Sequence, residues 1–126
     1  MGRTASRALG QRAEQAAFEY LLRQGLAPVT RNFRCRGGEI DLVMMDGQCL
    51  AFIEVRCRSS NRFAEASHTV DSHKQKKLIR TAALFVARNR RYSTSTMRFD
   101  VIAVTGDGDM TLEWISDAFR PRDSSL

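Results

Sequence analysis

"GGEIDLVMMDGQCLAFIEVRCR", residues 37–58, decides the fold. Two runs rich in Ile, Leu, Val, Met and Phe flank Asp46-Gly47, a strong hairpin signal because both residues tolerate positive φ. Strands over 39–45 and 49–56 follow, with Asp46 and Gly47 as a two-residue loop. That register sets Met45 opposite Gln48, Asp41 opposite Phe52 and Glu39 opposite Glu54. Because side chains alternate, Glu39, Asp41, Val43, Leu50, Phe52, Glu54 and Arg56 share one face, and Ile40, Leu42, Met44, Ala51, Ile53 and Val55 the other.

Like charges opposed across a sheet face destabilise it, so the cluster of Glu39, Asp41 and Glu54 needs a positive partner. A hard divalent cation such as Mg²⁺ (or Mn²⁺) takes oxygen from one or two carboxylates and completes its shell with water and phosphate. Asp41 and Glu54, with the backbone carbonyl of Val55 as a third ligand, meet that requirement. Ion pairs with Arg31, Arg34 or Arg56 meet it equally well.

Outward from the hairpin, Leu9, Ala13, Ala16, Ala17, Tyr20 and Leu21 recur at helical spacing over Ser6 to Gln24, and Gly25 stands where a C-terminal cap belongs. Glu14 projects at the edge of that apolar stripe, as a boundary residue reaching solvent or as part of a site. Residues 27–34 read as a first strand and 57–69 as a loop. A second helix starts at Asp71 or Ser72 and runs to about Asn89, with Leu78, Thr81, Ala82 and Phe85 on one stripe and Lys74 aligned with it. Strands over 97–105 and 111–115 surround the turn 106–109, whose spacing is not that of an EF-hand loop. The order is α-β-β-β-α-β-β, an α/β class with a mixed sheet flanked by helices in a single domain spanning 1–126, its ends 1–5 and 120–126 frayed.

The 126 residues fit one domain, and 43% hydrophobic with 27% charged residues is ordinary for a globular chain. The net charge of +6 comes from 17 Arg and three Lys against 14 acids. Arg is the better phosphate fork, so a polyanion is favoured as partner, although Arg enrichment also follows from GC-rich coding DNA. The segments 56–62, with Arg56, Arg58 and Arg62, 73–80, with Lys74 and Lys77, and 88–91 could grip a phosphate backbone or be solvated faces. Three cysteines without a C-x-x-C pair suggest free thiols in a reducing compartment. No run long and apolar enough for a membrane span and no secretory leader is apparent, so the cytoplasm is the expected location and no membrane partner is expected.

"GGEIDLV" followed by "AFIEVRCR", with the upstream "GQRAEQAAFEYLLRQGL" and the downstream "MRFDVIAV", resembles the YraN-like family of uncharacterised bacterial proteins from Leu9 to about Val104. The resemblance implies a restriction-endonuclease-like fold, similar to Holliday junction resolvases with their PD-(D/E)xK site. Carried over by residue, Asp41 matches the first acid, Glu54 the second, Arg56 the Lys position and Glu14 a first-helix carboxylate. The implied function is a Mg²⁺-dependent nuclease acting on DNA, ahead of RNA, and on branched or repair intermediates; a homodimer would supply two sites for two cuts. Two departures stand out: Ile40 replaces the motif's Pro, and Arg56 replaces its Lys. Arg does not deprotonate near neutrality and cannot be a general base, though it can hold a phosphate. The alternative is a non-catalytic nucleic-acid-binding protein on a nuclease-like fold.

Overall fold

The hairpin forms as expected in kind, but its loop is Gly47-Gln48, because Asp46 pairs with Cys49 and Met45 with Leu50. Gly47 has φ 63 while Gln48 keeps negative φ, the requirement of a type II′ turn with Gly first. The expected register is therefore corrected by two residues. A slip of two does not by itself exchange the faces of a strand, and Asp41 and Glu54 do line one cleft. Continued by one pair beyond the last ladder rung, Leu42 opposite Ile53, the true register would set Asp41 against Glu54 itself.

The computed structural model describes residues 2–58, 70–106 and 108–121. Helix α1 (Gly2–Arg23) leads into β1 (Ala27–Cys35), β2 (Gly38–Asp46) and β3 (Cys49–Arg58). Helix α2 (Ser72–Arg88), a 3-10 turn (Arg90–Tyr92), β4 (Thr96–Thr105) and β5 (Thr111–Phe119) complete the order α-β-β-β-α-β-β. Helix α1 starts before Ser6, and β5 runs past 115. Residues 59–69, and Arg62 among them, lie outside the described residues.

The five strands stand in the order β1-β2-β3-β4-β5. Only β3 and β4 are parallel, and α2 is the crossover between them. Each helix buries one stripe on one face. Ala13, Ala17 and Leu21 of α1 pack with Leu42, Met44, Ala51, Ile53, Ile102 and Val104. Leu78, Ala82 and Phe85 of α2 pack with Val43, Leu50, Phe52, Phe99 and Val101 on the other. Ile40 belongs to this second cluster, with Val43 and not with Leu42, so the strict alternation expected along β2 fails between them.

Both helices are closed by their local sequence. At the end of α1, Leu26 N–H donates to Leu21 O and Gly25 N–H to Leu22 O, with Gly25 at φ 98, a Schellman motif whose Leu26 is buried beside Leu21. At the start of α2, the Asp71 carboxylate accepts the Lys74 backbone N–H at 2.8 Å.

Candidate functional site

Strands β2 and β3 part company at one end of the sheet. Their ladder ends at Leu42 and Ile53, after which β2 continues only against β1 (Ile40 with Phe33, Glu39 with Arg34) and β3 only against β4 (Glu54 with Val101, Val55 with Ile102). A separated strand leaves backbone groups without a ladder partner, and burial makes such groups costly. Asp41 answers this with its side chain, whose Oδ2 accepts the Val55 N–H at 2.8 Å. In an extended strand the N–H and C=O of one residue point the same way, so the Val55 carbonyl faces the same gap.

The gap opens into a cleft of about 790 Å³. Glu14 and Gly10 of α1 line one wall, Asp41, Glu54 and Val55 the floor, and the cap residue Asp71 with His73, Lys74 and Lys77 of α2 another wall. The end of β1 and the turn after it supply Arg34, Arg36 and Gly37 as a rim. Gly38 is required where this turn meets α2, since a Cβ there would stand 2.7 Å from Thr81 Oγ1.

Charge in the cleft is unevenly compensated. The Glu54 side chain is only 8% exposed, and its Oε2 meets Lys74 Nζ at 2.8 Å. Asp41 fares worse: burial first, then the negative charge of Glu54, push its carboxyl up to about 7, against a weaker lowering by the Val55 N–H. Glu14 and Glu39 add to the rise. Of the three ion-pair partners expected for the acids, Arg34 reaches Glu39 at 3.5 Å on the exposed rim, and Arg31 lies over the Phe18 ring.

The expected site residues therefore divide. Glu14, Asp41, Glu54, Val55, Lys74 and Lys77 all line one cleft. Arg56 is partly buried but is not among the residues that line it, and the cation that meets Glu54 is Lys74. Arg58 ends β3. Sequence reasoning passed over Arg36, Thr81 and Cys35; the R-x-R-G-G run at the β1–β2 turn was the available signal. Among the described residues no three His, Cys, Asp or Glu side chains converge on a preformed metal cage. The donor set still suits Mg²⁺, which needs only one or two carboxylates. Asp41 and Glu54 each engage one oxygen on a protein partner, and the mutual repulsion at Asp41 is the kind a cation relieves.

Residues 13–104 match the model of "Uncharacterised protein family UPF0102". A UPF0102 protein of Pseudomonas paraeruginosa is 43% identical over 120 residues, covering 93% of this chain and 96% of its own. One from Ectopseudomonas mendocina is 42% identical over 111 residues, covering 88% and 93% respectively. Another, from Pseudomonas putida strain GB-1, is 43% identical over 113 residues, covering 88% and 92%. The matched span contains Asp41, Glu54, Glu14 and Lys74.

Proposed function

The chain belongs to the UPF0102 family, and from that premise we propose that it is a metal-dependent nuclease of restriction-endonuclease-like type, acting on DNA in a reducing cytoplasm. One observation carries the reading. Asp41 and Glu54 are recessed together at the point where β2 and β3 separate, Asp41 is pushed up by burial and by the charges of Glu54, Glu14 and Glu39, and Arg34, Arg36, Lys74 and Lys77 line the same cleft. A buried surplus of negative charge inside a basic rim suits a site that takes a cation first and a phosphate second.

Asp41, Glu54 and the Val55 carbonyl would hold Mg²⁺ or Mn²⁺. Bound there, the ion would polarise a phosphoryl oxygen and lower the pKa of an attacking water. The chain's own groups do the rest. Lys74 and Lys77 neutralise the non-bridging oxygens of the scissile phosphate, and the rim arginines fix the flanking backbone. Glu14, on the wall opposite α2, accepts a hydrogen bond from the water that attacks phosphorus and orients it in line with the leaving oxygen. Lys74 thereby takes the role that the resemblance gave to Arg56. Paired cuts on a branched substrate would require a homodimer.

A panel of labelled four-way junction, flap, single-stranded and duplex DNA, incubated with Mg²⁺ or Mn²⁺, tests this. Cutting that needs the metal and disappears in both Asp41→Asn and Glu54→Gln is the expected result. The second reading, a DNA-binding module that does not cut, rests on Arg56 standing away from the cleft. It prevails if the panel is bound, is never cut, and both variants bind at least as well as the parent.

A further inference from the structure

The 28 residues from Ser72 to Phe99 contain eight Lys and Arg and not one Asp or Glu, in a chain with 14 acids. Most of this stretch is α2 and the 3-10 turn after it. Leu78, Thr81, Ala82 and Phe85 form the buried stripe of α2, and Lys76, Arg80, Ala83 and Ala87 project opposite it, all exposed. A solvated helix face ordinarily mixes charges, because opposite signs four residues apart stabilise it and like signs do the reverse. Lys76 and Arg80 are four apart and both positive. The face is thus electrostatically unfavourable by itself, and it calls for a polyanion.

Position argues for which one. Lys74 and Lys77 at the start of α2 line the cleft, whereas Arg88 ends the helix and Arg90 follows in the turn, both exposed. Seventeen residues of helix span about 25 Å, so basic side chains occur from the cleft to the far end of α2. In the C-terminal half of the helix, Ala83 and Ala87 put no long side chain between a phosphate backbone and the helix.

We propose that the exposed face of α2 is a track for the sugar-phosphate backbone of a duplex DNA arm leaving the cleft, so that the preferred substrate carries about seven or more base pairs beyond the cleaved bond. The proposal rests on the reading of the cleft as a DNA site and adds the substrate's extent and direction. Recognition along this track is of phosphates, without base contacts, and is indifferent to sequence.

The side chains of Arg88 and Arg90 make no hydrogen bond or ion pair among the described residues, so Arg88→Ala/Arg90→Ala should fold as the parent does. Fluorescence anisotropy in EDTA would compare a long duplex of about 20 base pairs with one of about six, titrated with KCl. On the long duplex, the double variant should lower the slope of log affinity against log salt by about 1.8, or about 0.9 per lost phosphate contact. On the short duplex it should match the parent. Equal losses on both lengths, or an unchanged slope, would sink the track. If that happens while metal-dependent cutting persists, the cleft reading survives without it; if the parent binds neither duplex, both fall. Phosphatidylserine vesicles bound as tightly as the long duplex would overturn the assignment to DNA.

Discussion

Two buried acids, Asp100 and Glu54, sit on neighbouring parallel strands, yet one is finished and the other is not. Asp100 is 1% exposed and accepts four hydrogen bonds: Arg98 Nε at 2.9 Å, Arg98 Nη2 at 3.0 Å, Trp114 Nε1 at 3.0 Å and the Asp117 N–H at 2.8 Å. Arg98, 16% exposed on its side chain, spends its remaining arm on Asp46 at 3.1 Å. The hydrogen bonds to Asp100 hold its guanidinium charged still further above its usual range. At the other end of the hairpin, Glu54 is met among the described residues by Lys74 of the next helix, and the charges that raise the Asp41 carboxyl beside it are those of Glu54, Glu14 and Glu39. A charge that serves the fold is saturated by protein groups, whereas a charge kept for a ligand is left short.

The contrast breaks most plainly under substitution. Asp100→Ala strips the Arg98 fork, the Trp114 N–H and the Asp117 N–H of their acceptor at once. It should cost about 3 to 5 kcal/mol in urea unfolding, the range for removing one member of a buried pair. Asp41→Asn should do the opposite. At pH 8 it removes one of several repelling negative charges and keeps an oxygen for the Val55 N–H, so stability should hold or rise. Metal-dependent cleavage should meanwhile fall by at least about a hundredfold, since several kcal/mol of transition-state stabilisation go with the metal. A stability loss at Asp41 comparable to that at Asp100 would erase the distinction between the two regions.

Much of this was legible in the sequence where it is local. The stripe Ala13, Ala17, Leu21 and the cap Gly25 announce α1, and Leu78, Ala82 and Phe85 announce α2. Asp41 and Glu54 could be put on one side of the hairpin because alternation is insensitive to a slip of two. The loop itself was misplaced because a Gly-first turn needs one positive φ where Asp-Gly suggests two, and because Asp46 is held in extended backbone by Arg98, 52 residues away. The parting of β2 from β3 was out of reach too. It arises from β1 and β4 drawing the two strands to opposite sides, and no pattern within 37–58 encodes that. Arg56 shows the limit of a motif: the spacing supplies a residue, and the path of the strand decides whether it meets the cleft.

The unfinished state of the cleft should also be visible in its pH dependence. Asp41 titrates near 3.8 when unfolded and at about 7 when folded, so between these values the folded chain holds a proton that the unfolded chain has lost. Its contribution is fully present below about 4 and is lost as pH rises through about 7. In EDTA, the parent should therefore lose stability relative to Asp41→Asn between pH 5 and pH 8, and Mg²⁺ should shrink the difference by stabilising the ionised form. Parallel urea curves with no divergence would mean that Asp41 is as well compensated as Asp100.

The smallest effect is expected at Glu39, which lies between the two cases. It faces Arg34 directly across the β1–β2 ladder at 3.5 Å, but both side chains are well exposed, at 48% and 74%. Exposed pairs of this kind contribute little, so Glu39→Gln should change the urea midpoint by no more than about 0.5 kcal/mol. Glu39 is also the last and weakest of the charges that raise Asp41, so the same variant should narrow the pH-dependent gap only slightly, and Glu54→Gln more. That order separates a local origin from a general one. Were Glu39→Gln to flatten the profile as much as Glu54→Gln, the field on Asp41 would belong to the whole acidic rim, and the pairing of Asp41 with Glu54 at the strand gap would lose its special place.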